Sequence, residues 1–386
     1  MSGDNDKKRK MHNIKRLSLL LAVLAILALI AVVLIFGIGS CYPGLSGCFS
    51  SSLPAITVDE FNFDVGRSRV FINIEGSVAA AGTLGIQVLD AGGSETLRDP
   101  FRMGRPAIKG SAGRCIAFDI GGFTVRVFDS SQVNASIETD GRIVSASINQ
   151  NGWFCVVTQE SGGIRGVVTV YNNLGEDVYR VALGGGYALS ADLSHDNKDL
   201  AILNLTDNGS RISFYRGIDV NVESDFLFDL PDELIIDIWH KPNGDLLAIS
   251  TGSLYLIDRA GNSSILYTFS EKRLGGYTSG NDFIAFHLYD YGIGHRGRLV
   301  TILPDGRPLG EVVLDRDVIS MSAVDKSLVV LQSDSITFLN EKLEELSVSG
   351  DTLSVAGASR ILAVREGTAL ATSDNSAVVI RGEGEH

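Results

Sequence analysis

Cysteine, histidine, tryptophan and proline are all scarce in this chain, and each shortage closes a class of explanation. Four cysteines in 386 residues suit neither a disulfide-stapled scaffold nor a zinc module, and no Cys-x-x-Cys pair occurs. The six histidines are scattered from His12 to His386. They form no His-Glu-x-x-His spacing, and no calcium-loop pattern accompanies them. There is no Gly-x-Ser-x-Gly elbow, and Gly184-Gly-Gly186 follows no strand–helix unit, so neither a nucleophile elbow nor a phosphate-binding loop is indicated. Eight prolines stand against 43 glycines, the balance of a chain with many tight turns between short strands. With 45% hydrophobic and 20% charged residues, the chain can bury a core and is not disordered by composition.

Charge is unevenly placed. The first sixteen residues hold six basic and two acidic side chains; the rest holds 27 basic and 44 acidic ones, a net charge of −17. Such a body is repelled by nucleic acid and by anionic lipid headgroups. Residues 17–39 carry no charged side chain and are mostly Leu, Ala, Ile and Val. At 1.5 Å per residue this stretch spans roughly 34 Å, enough to cross a bilayer core. The basic cluster Lys7 to Arg16 precedes it, so the positive-inside rule places residues 1–16 in the cytoplasm and everything after residue 39 outside. A transmembrane anchor is the expectation. Ile38-Gly-Ser-Cys41 also resembles a lipobox, which would make Cys41 a lipidated N-terminus. A cleaved secretory signal would have a shorter apolar core. Residues 40–54 are rich in Ser, Gly and Pro and read as a flexible tether, in which Cys41 and Cys48 could close a small disulfide. Cys115 and Cys155 lie in apolar strand runs and read as buried, unreactive thiols.

From residue 55 onward one pattern recurs. Eight alternating strands end just before polar turns, at Asp90, Asp129, Asn172, Arg216, Asp258, Pro304, Asn340 and Arg381, with spacings of 39, 43, 44, 42, 46, 36 and 41 residues. That is the period of four-stranded blades, and it predicts an all-β, eight-bladed β-propeller over residues 55–386, preceded by one transmembrane helix. Seven blades are the alternative if the first or last repeat is not a blade. Blade four shows the plan: Ala188-Leu-Ser-Ala-Asp-Leu193, the turn Ser194-His-Asp-Asn-Lys198, then Leu200-Ala-Ile-Leu-Asn204 and Ile212 to Tyr215. The eighth repeat stops after its third strand. Ala55 to Phe63, which has no blade of its own, is expected to supply the fourth and close the ring.

The segments Gly141-Arg-Ile-Val-Ser-Ala-Ser-Ile148 to Ser161 and Arg165-Gly-Val-Val-Thr-Val-Tyr171 to Tyr179 resemble an uncharacterised family, as do Phe118-Asp-Ile-Gly-Gly122 and the basic start with its apolar span. It is a domain-of-unknown-function family of single-pass membrane proteins from clostridia-type Gram-positive bacteria. The resemblance covers nearly the whole chain. It implies a WD40-like or quinoprotein-like propeller facing outward, and it brings no catalytic residues. Departures are informative. The strand endings here are Leu-Asp, Phe-Asp, Tyr-Asn and Ile-Asp rather than Trp-Asp. The two tryptophans, Trp153 and Trp239, cannot supply the tryptophan-rich docking repeats of quinoproteins, so no bound quinone and no other cofactor is expected.

His195 and His240 fall at turns between first and second strands and read as solvated turn residues. The carboxylates of Asp90, Asp129 and Asp258 are placed to accept hydrogen bonds from backbone amides of their turns. Connections between second and third strands all open on one rim. They are short in blades five and seven but long in blades three, four and six, at residues 159–165, 206–211 and 289–298. The last, Tyr289-Asp-Tyr-Gly-Ile-Gly-His-Arg-Gly-Arg298, combines the residue types enriched at binding hot spots. The candidate binding rim is therefore Arg165, Tyr289, Tyr291, His295, Arg296 and Arg298, facing an envelope protein or glycan. An enzyme, a hydrolase or lyase at the mouth of the central channel, is the competing class. Two or more carboxylates with a histidine or arginine at that mouth would speak for it.

Overall fold

The computed structural model describes residues 58–159, 166–218, 226–231, 233–270, 272–290, 297–349, 357–373 and 376–382. The chain divides after Ser52, and every described residue belongs to the unit Leu53–His386. The span 17–39, the tether and both of its cysteines lie outside the described residues. Among the described residues no helix is long and apolar enough to cross a membrane.

The described residues form eight antiparallel sheets of four strands each. In seven of them the strands follow chain order from inside to outside, the first running Val70–Ile74, Ser77–Gly82, Gly85–Leu89 and Glu95–Pro100. The eighth takes Arg360–Arg365, Thr368–Thr372 and Ala377–Arg381 from the C-terminal end and Glu60–Phe61 from the other. The closing strand pairs Glu60 with Val378 and Phe61 with Ala377. Arg381 ties it further, donating to Asp59 Oδ1 at 2.8 Å and to the Val58 carbonyl at 2.9 Å. Eight blades and the borrowed strand are both as the repeat predicts. Innermost strands of neighbouring blades touch, including blade one against blade eight and, through Tyr277 and Asp237, blade five against blade six, so the ring is shut.

The second strand of each blade explains where the core lies. Phe154-Cys-Val-Val-Thr158 and Leu200-Ala-Ile-Leu-Asn204 are buried throughout, because a sheet sandwiched between two others has no solvent face. Their period-two alternation still operates, but it sorts residues between two apolar layers. Phe154 and Val156 pack toward blade two, while Cys155 and Val157 pack toward blade four. Leu200 and Ile202 join that second layer, and Ala201 and Leu203 begin the next. Eight such clusters occupy the eight junctions between blades. Outer strands are mostly exposed on alternate residues, as in Phe226–Pro231.

Five consecutive innermost strands, in blades three to seven, carry a β-bulge at the same place. The pairing skips Val144, Leu189, Ile236, Gly275 and Ile319. A bulge breaks the alternation that would bury its residue against a neighbouring blade, and Leu189, Ile236 and Ile319 stand 36%, 47% and 47% exposed. Polar side chains stitch the junctions near the axis. Asn73 Nδ2 donates to the Val364 carbonyl at 2.7 Å, Ser147 Oγ to the Ala191 carbonyl at 2.8 Å, and the Ile361 amide to Ser320 Oγ at 3.2 Å.

Candidate functional site

Strand direction gives the ring two rims. One, the turn rim, carries the connections between first and second strands and between third and fourth. The other, the loop rim, carries those between second and third strands and between blades. Of the predicted binding residues, Tyr289 and Arg298 are described, and they stand at the loop rim of blade six. Tyr289 is near the end of Ile284–Asp290 and pairs with Gly297 at the start of Gly297–Ile302. Its ring lies edge-on to His287, centroids 4.2 Å apart. A side chain at Gly275 would meet the Tyr289 ring at 2.3 Å and His287 Nδ1 at 3.0 Å, which is why the bulge of this blade holds glycine where both neighbours hold isoleucine. Arg298 forms an ion pair with Glu311 across the hairpin, and Lys272 meets Asp290 at 3.2 Å. Arg165, Tyr291, His295 and Arg296 lie outside the described residues.

Blade four corrects one expectation. Residues 206–211 are not a long loop: the ladder runs on to Thr206 paired with Gly209, leaving Asp207-Asn208 as a two-residue turn. Gly185 and Gly186 face this hairpin across a shallow recess of about 400 Å³ that includes Arg211. That guanidinium is already held by Asp229 through two bonds of 2.6 and 3.0 Å.

The more developed concavity is on the turn rim, at the mouth of the central channel. It measures about 490 Å³ and is walled by the ends of the innermost strands of blades two to six. Asp192 and His240 link blades four and five: the His240 amide donates to Asp192 Oδ2 at 2.8 Å, and His240 Nδ1 lies 2.9 Å from the same oxygen. Asp237 and Tyr277 link blades five and six, the phenol donating to Asp237 Oδ2 at 2.6 Å, while Asp237 Oδ1 accepts the Ile238 amide at 3.0 Å. Burial first, and then the adjoining Asp237 charge, push the Tyr277 phenol well above its ordinary range. Trp239 stacks on Tyr277 with centroids 6.0 Å apart and planes 6° from parallel. Lys109 contributes the mouth's cation, and His195 Nδ1 lies buried with no hydrogen-bond partner among the described residues.

His240 is therefore not a solvated turn residue. Its ring is buried because the strand Ile235–His240 extends to it. His195 does sit in its turn, at the edge of the cleft. None of Lys109, Asp192, Asp237 or Tyr277 stands out in the sequence. The usable signal was alternation: Asp237 and Trp239 share one face of a strand whose other face, Ile238 and His240, packs the opposite way. Nothing in the sequence singles out His287 either, although burial pushes it down to about 4 against the pull of Asp317.

The turn aspartates and the strand thiols are as expected. Asp90 Oδ1 accepts the amides of Gly92 and Ser94, Asp129 Oδ1 those of Ser131 and Gln132, and Asp258 Oδ1 those of Ala260 and Asn262. Cys115 and Cys155 are buried free thiols, and burial raises both to about 12. Among the described residues no three His, Cys, Asp or Glu side chains are grouped to hold a metal ion.

Residues 57–351 match a family of unknown function, DUF5711. The chain belongs to that family. The match ends before the three C-terminal strands of blade eight, which the fold nonetheless needs for closure. Comparison with curated proteins finds no match. Among solved structures, the C-terminal WD40 domain of Sif2 aligns with a TM-score of 0.56 and 13% identity, covering 86% of this chain and 99% of that one. BamB from Moraxella catarrhalis aligns at 0.51 and 16% identity, covering 85% and 98%. A quinohemoprotein alcohol dehydrogenase from Pseudomonas putida HK5 aligns at 0.51 and 12% identity, covering 85% and 76%. At these identities the likeness is one of fold.

Proposed function

We propose that this DUF5711 propeller is a membrane-tethered, extracytoplasmic scaffold that binds a protein or glycan of the cell envelope through its loop rim. The observation that carries the reading is the pairing of features on that rim. Leu189, Ile236 and Ile319 are left exposed by the bulges of three innermost strands. In blade six Tyr289 is locked against His287 and Gly275 at the base of the Tyr- and Arg-rich hairpin. Apolar groups within a polar, arginine-bearing surround are the make-up of a recognition surface. Replacing Tyr291 and Arg296 together by alanine is expected to remove a partner recovered by crosslinking in intact cells, with the melting temperature unchanged. Equal recovery of that partner would overturn the reading.

The second reading, an envelope hydrolase or lyase, draws on Asp192, Asp237 and His240, the carboxylates and histidine at the channel mouth. All three already serve as hydrogen-bonded links between blades. Two carboxylates with a histidine at the mouth are the arrangement that speaks for this reading, and the same fixed groups are equally placed to hold a ligand.

A further inference from the structure

We propose that the channel mouth on the turn rim is a binding site for a neutral saccharide. The proposal takes its ligand class from the scaffold reading above, and it adds a second place of contact on the opposite rim. The cleft of about 490 Å³ is within the size range of small-ligand sites, and its chemistry selects among ligands. Asp192 and Asp237 present acceptors, while Lys109 presents donors. A phosphate or other anion would meet two carboxylates. A polyamine would meet the Lys109 ammonium. A sugar hydroxyl both donates and accepts, so it can use all three.

The aromatic wall points the same way. The faces of an indole and a phenol carry negative potential, on which the C–H groups of a sugar ring rest favourably. Trp239 and Tyr277 lie nearly parallel, 6° apart, and both are fixed by packing at the junction of blades five and six. The polar groups are fixed too: Asp237 by Tyr277 and the Ile238 amide, Asp192 by His240. Groups ordered beforehand lose little side-chain freedom on binding.

The full chain, purified without sugar-headed detergent and carrying Trp153→Phe, leaves Trp239 as its single tryptophan. Its emission should respond saturably to at least one of chitotetraose, cellotetraose and mannotetraose, and to neither spermidine nor inorganic phosphate. Asp237→Asn and Lys109→Gln should each weaken that response by about tenfold with the melting temperature retained. Equilibrium dialysis of the wild-type chain against the same labelled oligosaccharides gives the reading without the tryptophan change. Saturation by spermidine or phosphate instead, affinity unchanged in both variants, or no binding of any of the three oligosaccharides would each overturn the proposal. Tyr291→Ala with Arg296→Ala should leave the titration intact. Failure at the cleft and failure at the loop rim are thus told apart.

Discussion

His287 shows how much a single position can carry without announcing itself. Its Nε2 is buried with no partner among the described residues, and an added Cβ at Gly297 would lie 2.4 Å from it. Burial holds the ring neutral down to about 4, whereas an unfolded chain takes up the proton near 6.5. Between those values the unfolded state binds more protons, so stability is fully present above pH 6.5 and declines as pH falls toward 4, by about 1 kcal/mol per pH unit. Thermal melts of the wild type between pH 7 and 4.5 should therefore fall more steeply than those of His287→Gln. Parallel slopes would remove the histidine from the account. Nothing in the sequence marks this residue, because a histidine in an apolar strand looks the same whether its ring is solvated or sealed. His240 is the converse case: a turn is legible after it, but not that the strand's last side chain reaches Asp192 of the neighbouring blade. The aspartates that open turns were readable, since an Asx turn needs only residues adjacent in sequence.

At the scale of elements, the repeat was fully legible and its consequences partly so. Buried second strands could be counted from their apolar runs, yet the division of each run between two junctions needed three dimensions. The bulges of blades three to seven left no trace in composition, and the hairpin of blade four passed for a loop because Thr206 to Arg211 is polar. The seam was legible because a strand was missing at one end and spare at the other. It is also the most exposed to mutation. Phe61 is 1% exposed and packs with Phe63, Val78 and Val364 at the junction of blades eight and one. Phe61→Ala should cost about 3–5 kcal/mol, read as a lowered denaturant midpoint. Hydrogen exchange should rise first in Ala377–Arg381 and Val70–Ile74; a uniform rise across all blades would mean that the seam has no local weakness.

The whole molecule joins an acidic ring to a basic, apolar leader. If residues 17–39 anchor the chain as proposed, it should sediment with membranes in high salt. Protease added to intact cells should remove the propeller while sparing an epitope placed within residues 1–16. Recovery in the soluble fraction, or protection of the propeller in intact cells, would contradict that arrangement. The channel mouth, by contrast, was invisible at this scale, because its residues come from five blades that are far apart in sequence. The closing strand has one more consequence. It enters from the turn rim, where Asp59 meets Arg381, and runs toward Ala377. A pull on Asp59 directed away from the turn rim would load the few bonds of this strand in shear together rather than peel them in turn. The clasp that completes the ring is also the first element to feel a pull.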